Sequence, residues 1–133
     1  MYNVSITRLR VRSIWFLPLF ALHAMRSATQ AMKSEGMVDF DTRVENPLTH
    51  WTKTVWKDEP AMKSFRNSGA HQIAMRLLSE VCSEASYTRW QQEPPDVPSW
   101  EEAHKAMLKQ GNLSKLKKPS AFHLEGRTAP PLA

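Results

Sequence analysis

A chain of 133 residues is the size of one domain, and 41% hydrophobic with 23% charged residues is a globular balance. That balance excludes a disordered acidic tail, a collagen-like repeat and a disulfide scaffold. The net charge of +5 is modest, and its basic runs lack interleaved aromatics, which argues against nucleic acid as a partner.

In chain order, residues 3–12 read as a first strand whose apolar members, Val4, Ile6, Leu9 and Val11, change phase midway. A bulge or burial on both faces would explain this. The apolar run at 14–22 falls short of the about 20 residues needed to cross a bilayer. The arginines before it alternate with apolar residues, as in a strand rather than a leader peptide. Ser13 caps a helix over about 14–34, with a stripe of Leu17, Phe20, Ala21, Ala24, Met25, Ala28, Ala31 and Met32, stopped near Gly36. Alternation predicts strands over 37–44 and 50–56, joined as a hairpin. Asp58, Glu59 and Pro60 open the next helix, which breaks at Asn67-Ser68-Gly69 and resumes over 70–81.

A fourth strand follows at 85–90. Ser99 with Glu102 three residues later begins a short helix that stops at Gly111. It is expected to pack through Trp100, Ala103 and Met107 near the sheet edge or across a cavity mouth. These elements predict an α+β, ferredoxin-like βαββαβ domain with a four-stranded antiparallel sheet over residues 1–93. Residues 94–118 are an appended linker and helix, and 119–133 an extended or disordered tail. Two apolar sheet faces with helices for only one predict that a second copy covers the other, giving a homodimer.

The stretch 51–65 (Trp-Thr-Lys-Thr-Val-Trp-Lys-Asp-Glu-Pro-Ala-Met-Lys-Ser-Phe), continued by Arg66-Asn67-Ser68-Gly69-Ala70-His71, resembles the signature of dimeric α+β barrel proteins. These include the antibiotic-biosynthesis monooxygenases and, nearer in detail, spheroidene-monooxygenase-like proteins. The resemblance covers about residues 2–91. It implies a monooxygenase-like protein with a hydrophobic small molecule in a barrel cavity. The alternative is a non-catalytic binding or scaffold protein of the same fold. If the protein is an oxygenase, the spheroidene-type likeness implies haem, whereas the antibiotic-type one allows catalysis with no cofactor, so haem is possible and not required. In the haem-degrading branch of this fold, an aromatic and a haem-ligating histidine would fall on Phe65 and Met75 here, and Met75 departs from that pattern.

His71 is the leading candidate catalytic residue, as an axial ligand or a proton-transfer group; a histidine bonded to local backbone is the competing reading. His50 is the second candidate, with Trp51, Trp56 and Phe65 as aromatic ligand-binding residues. Tyr87 and Arg89 share a face of the last strand and suit an acidic group, or an ion pair with Asp39, Asp41 or Glu45. Cys82, alone and after an apolar helix face, reads as a small buried hydrophobe and is compatible with a reducing, cytoplasmic setting. No phosphate loop, nucleophile elbow or paired metal-ligand motif occurs.

Overall fold

A computed structural model describes residues 1–132. Strand β1, Tyr2–Val11, is the centre of a sheet ordered β2-β3-β1-β4-β5, antiparallel at every pairing. The other long strands are β2 (Met37–Asn46), β3 (Thr49–Trp56) and β4 (Cys82–Gln92). The fifth strand is a correction to the expected four. It is only Asn112–Leu113, paired to Tyr87 and Ser86, and two residues carry no periodicity to read.

Ser13 caps a 3-10 turn at Ile14–Phe16, its Oγ accepting from the Trp15 amide at 3.3 Å. Helix α1 (Leu17–Lys33) follows, with Pro18 in its first turn, where an N–H would have no helical partner anyway. Gly36 turns the chain into β2 at φ +88°, and a Cβ there would lie 2.6 Å from Ala61 Cβ. Asp58 Oδ1 accepts from the Ala61 amide at 2.9 Å and starts α2 (Glu59–Arg66). The expected break then leads into α3 (Gly69–Val81).

The phase change in β1 is burial on both faces, with the bulge at its end, between Arg10 and Val11. Val4 and Ile6 point to one side of the sheet with Trp51 and Val55, and this side packs as a dry cluster. Helices α1, α2 and α3 lie over the other side, which Ser5, Thr7 and Leu9 share. Of the α1 stripe, Ala31 is fully buried and Phe20, Ala24 and Ala28 face the sheet, but Met25 and Met32 are 69% and 62% exposed. They join Ile14, Trp15 and Leu22 on an outward apolar strip.

The first sheet side is covered by the chain itself. Helix α4 (Trp100–Gln110) starts at Ser99, whose Oγ accepts from the Glu102 amide at 3.1 Å, and it seats Ala103 and Met107 on the sheet with no exposed surface. Its expected place at a sheet edge or cavity mouth is therefore corrected to a full sheet face. The tail, expected to be extended or disordered, folds into one helical turn, α5 (Ala121–Leu124), and docks. His123 and Ala129 are buried, the Ser120 amide donates to Ser83 O at 2.9 Å, and Ser86 Oγ donates to Thr128 O at 2.6 Å. His104 Nε2 lies 2.7 Å from Pro130 O. Sequence reasoning missed this because the anchors are polar and backbone groups, not an apolar stripe. With α4 and the tail in place, an open apolar sheet face no longer argues for a second copy.

Arg8 lies on the same side and is only 4% exposed. Its Nε and Nη2 donate to Glu45 at 3.1 and 3.0 Å, and its Nη1 donates to Glu84 at 2.9 Å. Burial works against this charge, yet the hydrogen bonds and charges of the two carboxylates outweigh it and hold the guanidinium pKa above its usual value.

Met107→Ala is expected to lower unfolding free energy by about 2–5 kcal/mol, as for other buried Met truncations, measured by urea denaturation. A chain ended at Lys118 should melt several degrees lower than the full chain. Arg8→Met should cost about 3–5 kcal/mol, because the buried Glu84 and the more exposed Glu45 lose their counter-ion. A loss within error in either core variant would mean that α4 or Arg8 is not seated as described.

Candidate functional site

Register puts the helix-facing side chains in rows across the sheet. Thr42, Thr52, Thr7 and Tyr87 form one row, and Phe40, Thr54, Ser5 and Arg89 the next. Val44, His50, Leu9 and Ala85 form a third. Short hydroxyl side chains on the strands meet small residues on α1, namely Ala24, Ser27 and Ala28, so the two layers do not fill the space between them. The result is a cavity of about 640 Å³, within the range of roughly 300–1,000 Å³ typical of small-molecule sites.

One wall is aromatic. Trp56 stacks on Phe65 with centroids 5.1 Å apart and planes at 26°, and Phe65 meets His71 at 4.5 Å. Trp56 Nε1 donates to Thr54 Oγ1 at 3.1 Å, which satisfies its polar edge and fixes the ring. His71, in the first turns of α3, places Nδ1 2.9 Å from Ser27 Oγ on α1. The contact replaces the local backbone bond of the competing reading. Burial, and then the charges of Arg89 and Arg66, push the His71 pKa below its usual value, so the ring is neutral at pH 7.

His50 lines the far end of the same cavity, 5.3 Å from Phe20 between ring centroids, with Nε2 3.2 Å from Pro47 O. It shares the cavity with His71 but has no contact with it. Trp51 is a correction. Its side chain belongs to the opposite sheet side, fully buried under α4, donating Nε1 to Glu45 at 2.9 Å and lying 5.1 Å from His104. Alternation separates it from Trp56. Tyr87 and Arg89 do share the cavity face, with the Arg89 guanidinium 4.7 Å above the Tyr87 ring. Two of the carboxylates suggested as Arg89 partners are otherwise placed: Glu45 pairs with Arg8, and Asp41 lies 3.8 Å from Lys53.

Sequence reasoning missed Ser27, Arg66, His23 and Lys115, which also line the cavity. His23 and Ser27 lay within reach of the α1 pattern, each directly before a stripe alanine, Ala24 and Ala28, but polar residues were not counted in the stripe. Met75 is 41% exposed and lines the cavity without a polar partner. Burial pushes the Cys82 thiol up to about 12, so it is no thiolate nucleophile. Among the described residues no cluster of three metal-ligating side chains occurs. No helix among them is long and apolar enough to cross a membrane.

No protein-family model matches the sequence, and no curated protein matches it. Solved structures do. A conserved protein from Methanosarcina mazei Go1 superposes with a TM-score of 0.61 at 20% identity, over 70% of this chain and 94% of its own. A point mutant of SnoaB from Streptomyces nogalater, a cofactor-independent oxygenase, gives 0.59 at 14% identity, over 74% and 98%. An antibiotic biosynthesis monooxygenase gives 0.61 at 11% identity, over 71% and 100%. The fold is thus that of the antibiotic-biosynthesis-monooxygenase-like proteins, and nothing in these three matches bears on the spheroidene-type likeness. Each is matched over nearly its whole length while more than a quarter of this chain has no counterpart.

A histidine with a depressed pKa costs stability in acid. Above the ordinary value of 6.5 both folded and unfolded chains hold it neutral; below that value the unfolded chain takes the proton first, and stability falls until the folded His71 also titrates. His71→Gln is therefore expected to flatten the loss of melting temperature between pH 6.5 and the folded value. A pH profile identical to wild type would show that His71 titrates normally.

Proposed function

We propose that the chain holds a flat, largely apolar molecule in this cavity and oxygenates it without a cofactor, using His71 as the proton acceptor. The carrying observation is the neutral, half-buried His71 at the end of the Trp56–Phe65 stack, inside a cavity that can hold a small molecule. The likeness to SnoaB, itself a cofactor-independent oxygenase, supports the choice of reaction class. In such chemistry the substrate must supply the electrons that reduce dioxygen, so it must first be made electron-rich by losing a proton. The base has to be neutral beforehand and have a pKa near working pH.

His71 meets the first demand, since burial and the charges of Arg89 and Arg66 hold its pKa below the ordinary value. In the tautomer that donates Nδ1–H to Ser27, Nε2 keeps a free lone pair for the substrate proton. Phe65 and Trp56 fix the plane of the bound ring system, and the hydroxyls of Thr7, Thr42 and Thr52 offer it hydrogen bonds from the floor. Burial of the aromatic body supplies affinity, while the hydroxyl row sets orientation.

The test uses 1-naphthol as probe. Binding is read by tryptophan fluorescence and turnover by oxygen uptake above the spontaneous rate. Wild type is expected to bind and to consume oxygen. His71→Phe should bind comparably and lose about 10²-fold or more of the rate, the usual weight of a general base. Binding without oxygen uptake would overturn the oxygenase reading and leave the non-catalytic binding protein. An added-hemin Soret band that disappears in His71→Ala would instead assign His71 as a haem ligand.

A further inference from the structure

The cavity lining carries positive charge and no negative charge. Arg66 from α2, Arg89 from β4 and Lys115 after β5 contribute three cations to it, while a fourth lining arginine, Arg43 of β2, has its guanidinium over the Trp51 and Trp100 rings; no Asp or Glu lines the cavity, although the chain holds thirteen acids. None of the three cations takes part in any ion pair among the described residues; the pairs that form are those of Arg8, Arg10, Arg127 and Lys53, Lys57, Lys63, Lys105 and Lys117. Arg66 does influence one carboxylate, Glu59, but that group is exposed and already held by Lys63 at 2.7 Å.

The two arginines also act on each other and on the same histidine. After burial, the charge of Arg66 is the next cause that lowers the Arg89 pKa, and both arginines depress His71. Two like charges this close repel each other, and an anion between them would relieve the repulsion. The Arg89 Cζ lies 4.7 Å from the centre of the Tyr87 ring, and a guanidinium can give a carboxylate two parallel hydrogen bonds.

We infer that the ligand of this cavity is an aromatic carboxylate, its ring system against Phe65 and Trp56 and its carboxylate on Arg89 and Arg66. This rests on the cavity reading above and adds the charged half of the ligand. Lys115, exposed on the segment after β5, adds long-range attraction.

The probes are 2-naphthoate and its neutral isostere 2-naphthamide, titrated into the full chain with tryptophan fluorescence as readout. Naphthoate is expected to bind roughly tenfold to a hundredfold tighter than the amide, the weight of charge-assisted hydrogen bonds. Arg89→Gln and Arg66→Gln should bring naphthoate down to the amide's affinity and leave the amide unchanged, with Arg89→Lys in between. Naphthoate affinity should also fall as salt rises. Equal binding of acid and amide, unaffected by either Gln variant, would overturn the carboxylate assignment while leaving the apolar cavity intact. Absence of binding by both probes would overturn the cavity reading itself and this inference with it.

Discussion

Arg8 projects from the central strand into the side of the sheet that α4 and the tail cover, and three elements depend on keeping it paired. Glu45 brings β2, Glu84 brings β4, and Glu84 in turn accepts from Ser120 of the tail at 3.2 Å. The Phe122 ring lies over the guanidinium at 5.3 Å, adding a cation–π contact. A charge this deep is costly unless its carboxylate partners are in place. The arrangement therefore fixes register, because a one-residue slip of β1 would carry Arg8 to the opposite face.

That constraint leaves the two faces of the sheet with different duties. Under α4 the packing is dense, with Val4, Ile6, Trp51, Val55, Ala103 and Met107 all fully buried. Under α1 to α3 it is hollow, since small residues on α1 face hydroxyls on the strands. A hollow forfeits dispersion contacts and lowers stability. The closed face offsets this loss, which is how a small domain keeps a cavity without unfolding.

Much of this was legible in the sequence, and the exceptions share a cause. Alternation found the four long strands and put Tyr87 with Arg89. Capping residues found Asp58 and Ser99 as helix starts. Illegible were features made by polar and backbone groups acting at long range. Arg8 looked like part of a basic run, yet it is the best-paired side chain in the interior. The tail looked unstructured because Thr128 and Pro130 dock through hydroxyl and carbonyl oxygens. Arg66 could not be chosen as a site residue, because nothing in the sequence says that α2 brings it to the same hollow as Arg89.

The C-terminal cover has a consequence for how the chain is made. Synthesis delivers β1 to β4 first, at about 5–20 residues per second, and the residues that seal one side of their sheet follow them. Until Met107 and Ala129 arrive, the nascent sheet shows Trp51, Val55 and Ile6 to solvent, with Arg8 deprived of its tail contacts. During that interval the exposed apolar face is prone to aggregation, and any product that ends early would keep it exposed.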